Sequence, residues 1–243
     1  MQSIKHRLAD QFRSVIGNFI PIDNSNSKFE SDGFLTPKEF VDSGDYLILQ
    51  FPNWFWRGAS EEYLVRWLPK NKQYLHIDNI PCRKRLNSSK LCISKNSSDG
   101  ESDDQGNEWA FPTNKNEEKL NNSSTNDDVR YYDISVTYDK FFQTPRIWLF
   151  GYNKDGYPLS TEEMVEDIIN EYATKTITLD PHPFTGILCV SIHPCNHSSL
   201  LKKMAKNHPP HLSIVILLKF ITTVIPSIEL DNTIDIDIKF DTI

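Results

Sequence analysis

Residues 132–152 read YDISVTYDKFFQTPRIWLFGY, and the fold turns on them. Tyr132, Ile134, Val136 and Tyr138 alternate with Asp133, Ser135 and Thr137, the period-two pattern of a β-strand with one face toward a core. Residues 146–150 supply a second extended run. Beyond them, Asn153-Lys154-Asp155-Gly156 has the chemistry of a hairpin-type turn. Ser160 followed three residues later by Glu163 is a capping box, and Met164, Val165, Ile168, Ile169 and Tyr172 give the next helix an apolar stripe. Two more extended pieces are expected at 176–179 and 187–192, then helices at about 196–204 and 213–225, the last closed by Pro226.

On the other side of that stretch, Thr36-Pro37-Lys38-Glu39 combines an N-cap, a proline at the first helical position and an acidic first turn. The pattern predicts a short helix through Val41, ended by Gly44-Asp45. Residues 46–51, 63–68 and 73–77 are short aromatic and β-branched runs separated by Pro, Asn and Gly, which predicts strands of a meandering antiparallel sheet. Trp54, Trp56 and Trp67 are assigned to core or rim packing. Together these elements specify an α+β fold: an antiparallel sheet with helices on one side.

The chain has 243 residues and a formal net charge of −7. Nine Asp/Glu against four Lys between Asn87 and Asp128 account for −5 of it. Overall acidity argues against a nucleic-acid partner, yet the charge belongs largely to that one segment. Eight Asn, eight Ser and few apolar side chains leave it unable to offset the entropy of ordering, so 83–129 is expected to be a disordered acidic insertion. Its apolar island, Trp109-Ala110-Phe111, is either accidental or a docking motif for a partner. Met1, Ile4, Leu8, Phe12, Val15 and Phe19 recur at steps of three and four before Pro21, which predicts an amphipathic helix over 1–20 with a basic polar face. Such a helix either docks on the protein's own core or lies in the headgroup region of a bilayer. No apolar run reaches the roughly 18 residues of a spanning helix, and Lys5, Arg7, Asp10 and Arg13 interrupt any secretory signal. Four cysteines without a CxxC pair fit neither a disulfide scaffold nor a zinc finger, and a reducing, intracellular setting is the simpler expectation.

The chemistry concentrates in Ser191-Ile192-His193-Pro194-Cys195-Asn196-His197. A strand leads to a proline-stiffened corner, and Cys195 falls just before a helix, with Asn196 or Ser198 available as its cap. Helix amides and neighbouring imidazoles favour a thiolate, which makes Cys195 a candidate nucleophile. Three other readings stand beside it. One is a buried structural cysteine. Another is a metal site of His193, Cys195 and His197, which lacks a fourth ligand and the strand geometry that Pro194 disrupts. The third is a cysteine protease, which needs partners elsewhere in the fold.

Tyr138-Asp139-Lys140, Gln143-Thr144-Pro145-Arg146, Trp148 to Tyr152, Pro158-Leu159, Glu166-Asp167-Ile168, Thr174-Lys175-Thr176 and His193-Pro194-Cys195 follow one another in an order that resembles the autophagy-related protein 3 family. The resemblance extends forward to Thr36-Pro37, Pro52 to Trp56 and Asn79-Ile80-Pro81-Cys82, and back to Leu218-Lys219-Phe220 and Ile225-Pro226-Ser227-Ile228. It implies an E2-like (UBC-like) enzyme, a single E2-like domain over 21–243 interrupted by the insertion. It implies that Cys195 takes a ubiquitin-like autophagy modifier from an E1-like enzyme as a thioester and passes it to the amine of phosphatidylethanolamine. By resemblance, Thr176 and His193 modulate the site, and Ile4, Leu8, Phe12, Val15 and Phe19 enter the membrane. The insertion corresponds in position to the family's segment that docks the E1-like enzyme, but no contact residue in it is carried over; Trp109 and Phe111 are partner-docking candidates from the residues alone. An E3-like autophagy conjugate is a further expected partner; no metal or other cofactor is expected, and the location implied is cytoplasmic and peripheral to membranes. The asparagine that ubiquitin E2s place upstream of the cysteine is missing, and 205–212 has no Trp-x-x-Leu modifier-binding motif. The alternatives are the sister autophagy E2 that modifies a protein lysine, and a non-catalytic membrane adaptor on the same fold.

Overall fold

The computed structural model describes residues 26–83, 85, 129–169 and 177–230. The expectations for 1–20, for Thr176 and for Trp109 and Phe111 therefore lie outside the described residues. The elements run α1 (Phe29–Asp32), α2 (Pro37–Gln50), β1 (Phe55–Arg57), β2 (Tyr74–Cys82), β3 (Arg130–Asp139), β4 (Thr144–Asn153), α3 (Thr161–Glu166), β5 (Ile177–Pro181), β6 (Leu188–Ile192), α4 (His197–Ala205) and α5 (Ser213–Val224). The six strands form one antiparallel sheet in the order β1-β2-β3-β4-β6-β5. The α+β architecture read from the sequence is the one observed.

Tyr132, Ile134, Val136 and Tyr138 sit on the face that packs against the helices, none more than 6% exposed. They join one cluster with Leu75 and Ile77 of β2, Phe40 and Leu47 of α2, Leu200, Leu201 and Met204 of α4, and most of α5. Burying such side chains contributes roughly 1.5–3 kcal/mol each. The opposite face departs from the simple alternation, because Ser135 and Thr137 are buried too. The loop between β5 and β6 folds over them. His182 lies 3.1 Å from the Ser135 hydroxyl, Trp148 Nε1 donates to Thr137 at 2.9 Å, and Tyr74 stacks on Phe184.

Two local expectations are corrected. Helix α2 does not stop at Gly44-Asp45 but continues to Gln50, absorbing residues 46–50 that read as strand. A Cβ on Gly44 would come within 2.2 Å of the Trp56 ring, so the glycine serves close packing, and Asp45 accepts from Trp56 Nε1 and Lys72. Residues 63–68 are turns and irregular backbone. Their polar groups are met by the buried Gln73 amide, which accepts from Val65 N and donates toward the carbonyls of Val65, Leu68 and Pro69. Both capping boxes, Thr36/Glu39 and Ser160/Glu163, form, each worth about 1 kcal/mol.

Candidate active site

β6 carries the chain to Ile192, and a 3-10 turn over Pro194–Asn196 then leads directly into α4. Pro194 occupies the first position of that turn, where its missing N–H costs nothing. That 3-10 turn is capped by the His193 imidazole, whose Nδ1 accepts the Cys195 amide at 3.1 Å. An accepting Nδ1 carries no proton, so this bond exists only while that nitrogen is unprotonated.

Cys195 is exposed, whereas Cys82 and Cys189 are buried and free of disulfides. Burial pushes both of those thiols up to about 11, which keeps them as inert thiols at neutral pH. His197 does not share the site. It is 1% exposed, its Nδ1 is 2.9 Å from the Pro145 carbonyl, and burial holds its titration down to about 4. It is a neutral packing residue that fixes the start of α4 to β4. Among the described residues no His, Cys, Asp or Glu side chains gather into a metal site.

The corner is supported by elements to which sequence motifs give no role. The β3–β4 turn brings the Phe142 ring edge-on to His193, with centroids 5.3 Å apart. Asp139 shapes that turn by accepting the amides of Phe141 and Phe142 at 3.0 and 3.1 Å. Arg146 approaches Asp139 at 3.8 Å, donates to Asp180 and to Ser191 at 2.7 Å each, and lies over the Trp148 ring. A third support is α1. Gly33, at φ +72, lies so close to α4 that a Cβ there would be 2.0 Å from the Ser198 carbonyl oxygen. Leu35 N then donates to Gln143 O and Tyr138 donates to Leu35 O, lashing the same segment to the β3–β4 turn. Across the sheet, Ile177 pairs with Ile192, so β5 runs beside the strand that delivers His193.

An exposed cysteine at a braced strand-to-helix corner suits acyl transfer through sulfur. The sequence profile of the family described as "Autophagocytosis associated protein, active-site domain" matches residues 39–232. The chain belongs to that family. Members named "Autophagy-related protein 3" are similar along most of their length. The one from Dictyostelium discoideum is 31% identical over 315 aligned positions, covering 88% of this chain and 93% of the relative. Those from Kluyveromyces lactis and Schizosaccharomyces pombe are 30% and 31% identical, covering 92% and 87% of this chain and 99% and 92% of theirs. An alignment of 315 positions against a chain of 243 residues means that the Dictyostelium member of the family has segments this one lacks. Membership makes the chain an autophagy E2-like conjugating enzyme, a class that works with a ubiquitin-like modifier and an E1-like enzyme.

Proposed function

We propose that Cys195 receives the C-terminal carboxyl of a ubiquitin-like autophagy modifier as a thioester from an E1-like enzyme and transfers it to the amine of phosphatidylethanolamine. The observation that carries this reading is the exposure of Cys195 at the His193-capped corner within the family's active-site domain. In transthiolation the Cys195 thiolate attacks the E1 thioester and the E1 sulfur leaves as thiolate. In the second step a neutral amine attacks the carbonyl, the C–S bond breaks, and the amine's proton passes to solvent or a nearby base. The fold is read as UBC-like, a single domain over 21–243 with an acidic insertion at 83–129 that docks the E1-like enzyme, and Trp109 and Phe111 are candidates for docking a partner. Thr176, one position before Ile177, and His193 are assigned to modulating the site, and an E3-like autophagy conjugate to stimulating it.

The acceptor is a lipid, so the thioester must be presented at a bilayer. Residues 1–20, with Ile4, Leu8, Phe12, Val15 and Phe19 on one face, have the composition of an interfacial helix. They join the described chain just ahead of α1, which packs on α4, the helix that follows Cys195. Among the described residues no helix is long and apolar enough to cross a membrane. Peripheral attachment of a cytoplasmic enzyme is the arrangement this supports.

The test is reconstitution with E1-like enzyme, ATP, modifier and phosphatidylethanolamine liposomes. Cys195→Ser is expected to trap a reductant-stable oxyester and Cys195→Ala to form no adduct; a thiol-sensitive adduct on the Ala variant rejects the assignment. Leu8→Asp or Phe12→Asp is expected to spare loading and abolish lipidation. Transfer to a protein lysine in preference to lipid would favour the sister enzyme's reaction.

A further inference from the structure

Asp139 ends β3 at the turn beside the site, and its side chain is 16% exposed. One carboxylate oxygen takes the amides of Phe141 and Phe142, and the other faces Arg146. Phe142 in turn lies against His193, and His193 caps Cys195. The contacts therefore form one short line: Asp139, the turn, Phe142, the imidazole, the cysteine amide. Resting on the thioester reading above, we infer that Asp139 is a positioning residue of this site, holding the Phe142 ring where it keeps His193 Nδ1 on the Cys195 amide, and that its charge sets the pH at which this cap releases.

A hydrogen-bonded turn defines the ring position of Phe142 to within the tolerance of an aromatic contact, and misplacing a site by an ångström costs rate out of proportion to stability. Protonation of Nδ1 removes the acceptor for the Cys195 N–H. The charged and titratable groups around the imidazole are Asp139, Lys140 and Arg146 on the β3–β4 hairpin, the Cys195 thiol, and His197 on α4, which burial keeps neutral. Burial pushes the Asp139 carboxyl up, opposed by the Phe142 amide, Arg146, the Phe141 amide and, least of these, the His193 imidazole, so the two groups are electrostatically linked. An anion at Asp139 makes the imidazolium easier to form, so removing it lets the cap persist to lower pH.

The experiment uses the full chain. Loading by E1-like enzyme, ATP and modifier is measured first, then single-turnover discharge of the thioester onto free ethanolamine across pH 5 to 9, and in parallel the titration of His193 by NMR in the unloaded protein. Asp139→Ala is expected to slow discharge about ten- to a hundredfold with loading retained, and to add nothing in a His193→Ala background. Asp139→Asn, whose amide oxygen still accepts both N–H groups, is expected to retain more of the rate. It should also move the acid limb of discharge and the His193 titration down by about one pH unit. Additive losses in the double variant, or a His193 titration unmoved in Asp139→Asn, overturn the inference. Absence of loading on Cys195 in the unaltered protein instead sinks the thioester reading. The NMR titration still decides the link between Asp139 and His193 in that event, and it does so in Asp139→Asn should Asp139→Ala not fold.

Discussion

Asp167 and Asp139 are both largely buried carboxylates near the ends of secondary-structure elements, and they do opposite jobs. Asp167 is sealed. It is 0% exposed, accepts from Tyr132 at 2.6 Å, and faces Arg130 at 3.2 Å and Arg85 at 3.3 Å. Burial pushes its carboxyl up, opposed by the tyrosine hydroxyl and the two guanidiniums. Because Arg85 and Arg130 flank residues 86–128, this carboxylate ties both ends of that segment to the end of α3. Asp139 instead holds the turn whose Phe142 ring lies against His193. A closed ionic cluster tolerates no loss of a partner, whereas one that leads to the surface can tune a neighbour.

The sharpest way to break the contrast is Asp167→Ala. It takes the buried carboxylate away from Arg85, Arg130 and Tyr132 at once, and a loss of about 3–5 kcal/mol in urea unfolding is expected; a midpoint close to that of the unaltered chain would show that the cluster is not sealed. Next is Gly33→Ala. The positive φ and the 2.0 Å approach to the Ser198 carbonyl together predict roughly 2–5 kcal/mol. Gly156→Ala, also at positive φ but with nothing within 4 Å, should cost only about 1 kcal/mol. Equal losses would mean that α1 does not brace α4.

Acidification tests the buried imidazoles. His182 and His197 are both held down to about 4 by burial, below the ordinary value near 6.5. Between those values the unfolded chain binds protons that the folded chain refuses, so stability falls as pH drops through the window. Each histidine contributes a slope of up to about 1.4 kcal/mol per pH unit. The raised carboxyls of Asp139 and Asp167 act with the opposite sign. His182→Gln should flatten the profile; an unchanged slope would place the proton uptake elsewhere. At the weak end, Asp42→Asn breaks the exposed Lys38–Asp42 pair and should leave the unfolding midpoint where it is.

Much of the scaffold was legible because its signals are local. The alternation of β3, the capping boxes at Thr36 and Ser160, and Pro226 after α5 each act within a turn or a strand of themselves. Gly44 misled because its partner, the Trp56 ring, is twelve residues away, and residues 63–68 misled because their hydrogen bonds go to the side chain of Gln73 rather than to a strand. At the site, the exposed cysteine was found from His193-Pro194-Cys195. The His193 cap on the 3-10 turn has no local signal because imidazole is a rarer cap than Asn or Ser, and Asp139, Phe142 and Arg146 carry no motif chemistry in isolation.

By itself, the order of residues determined the alternation of β3, the capped starts of α2 and α3, and which cysteine stands at a strand-to-helix corner, since these follow from side-chain periodicity and backbone capping over short distances. Only the packed chain decided which thiols are shut away, which histidine caps the Pro194–Asn196 turn, and which acid shapes the neighbouring β3–β4 turn. Those properties depend on desolvation and on contacts between segments far apart along the chain, and neither has a local signature.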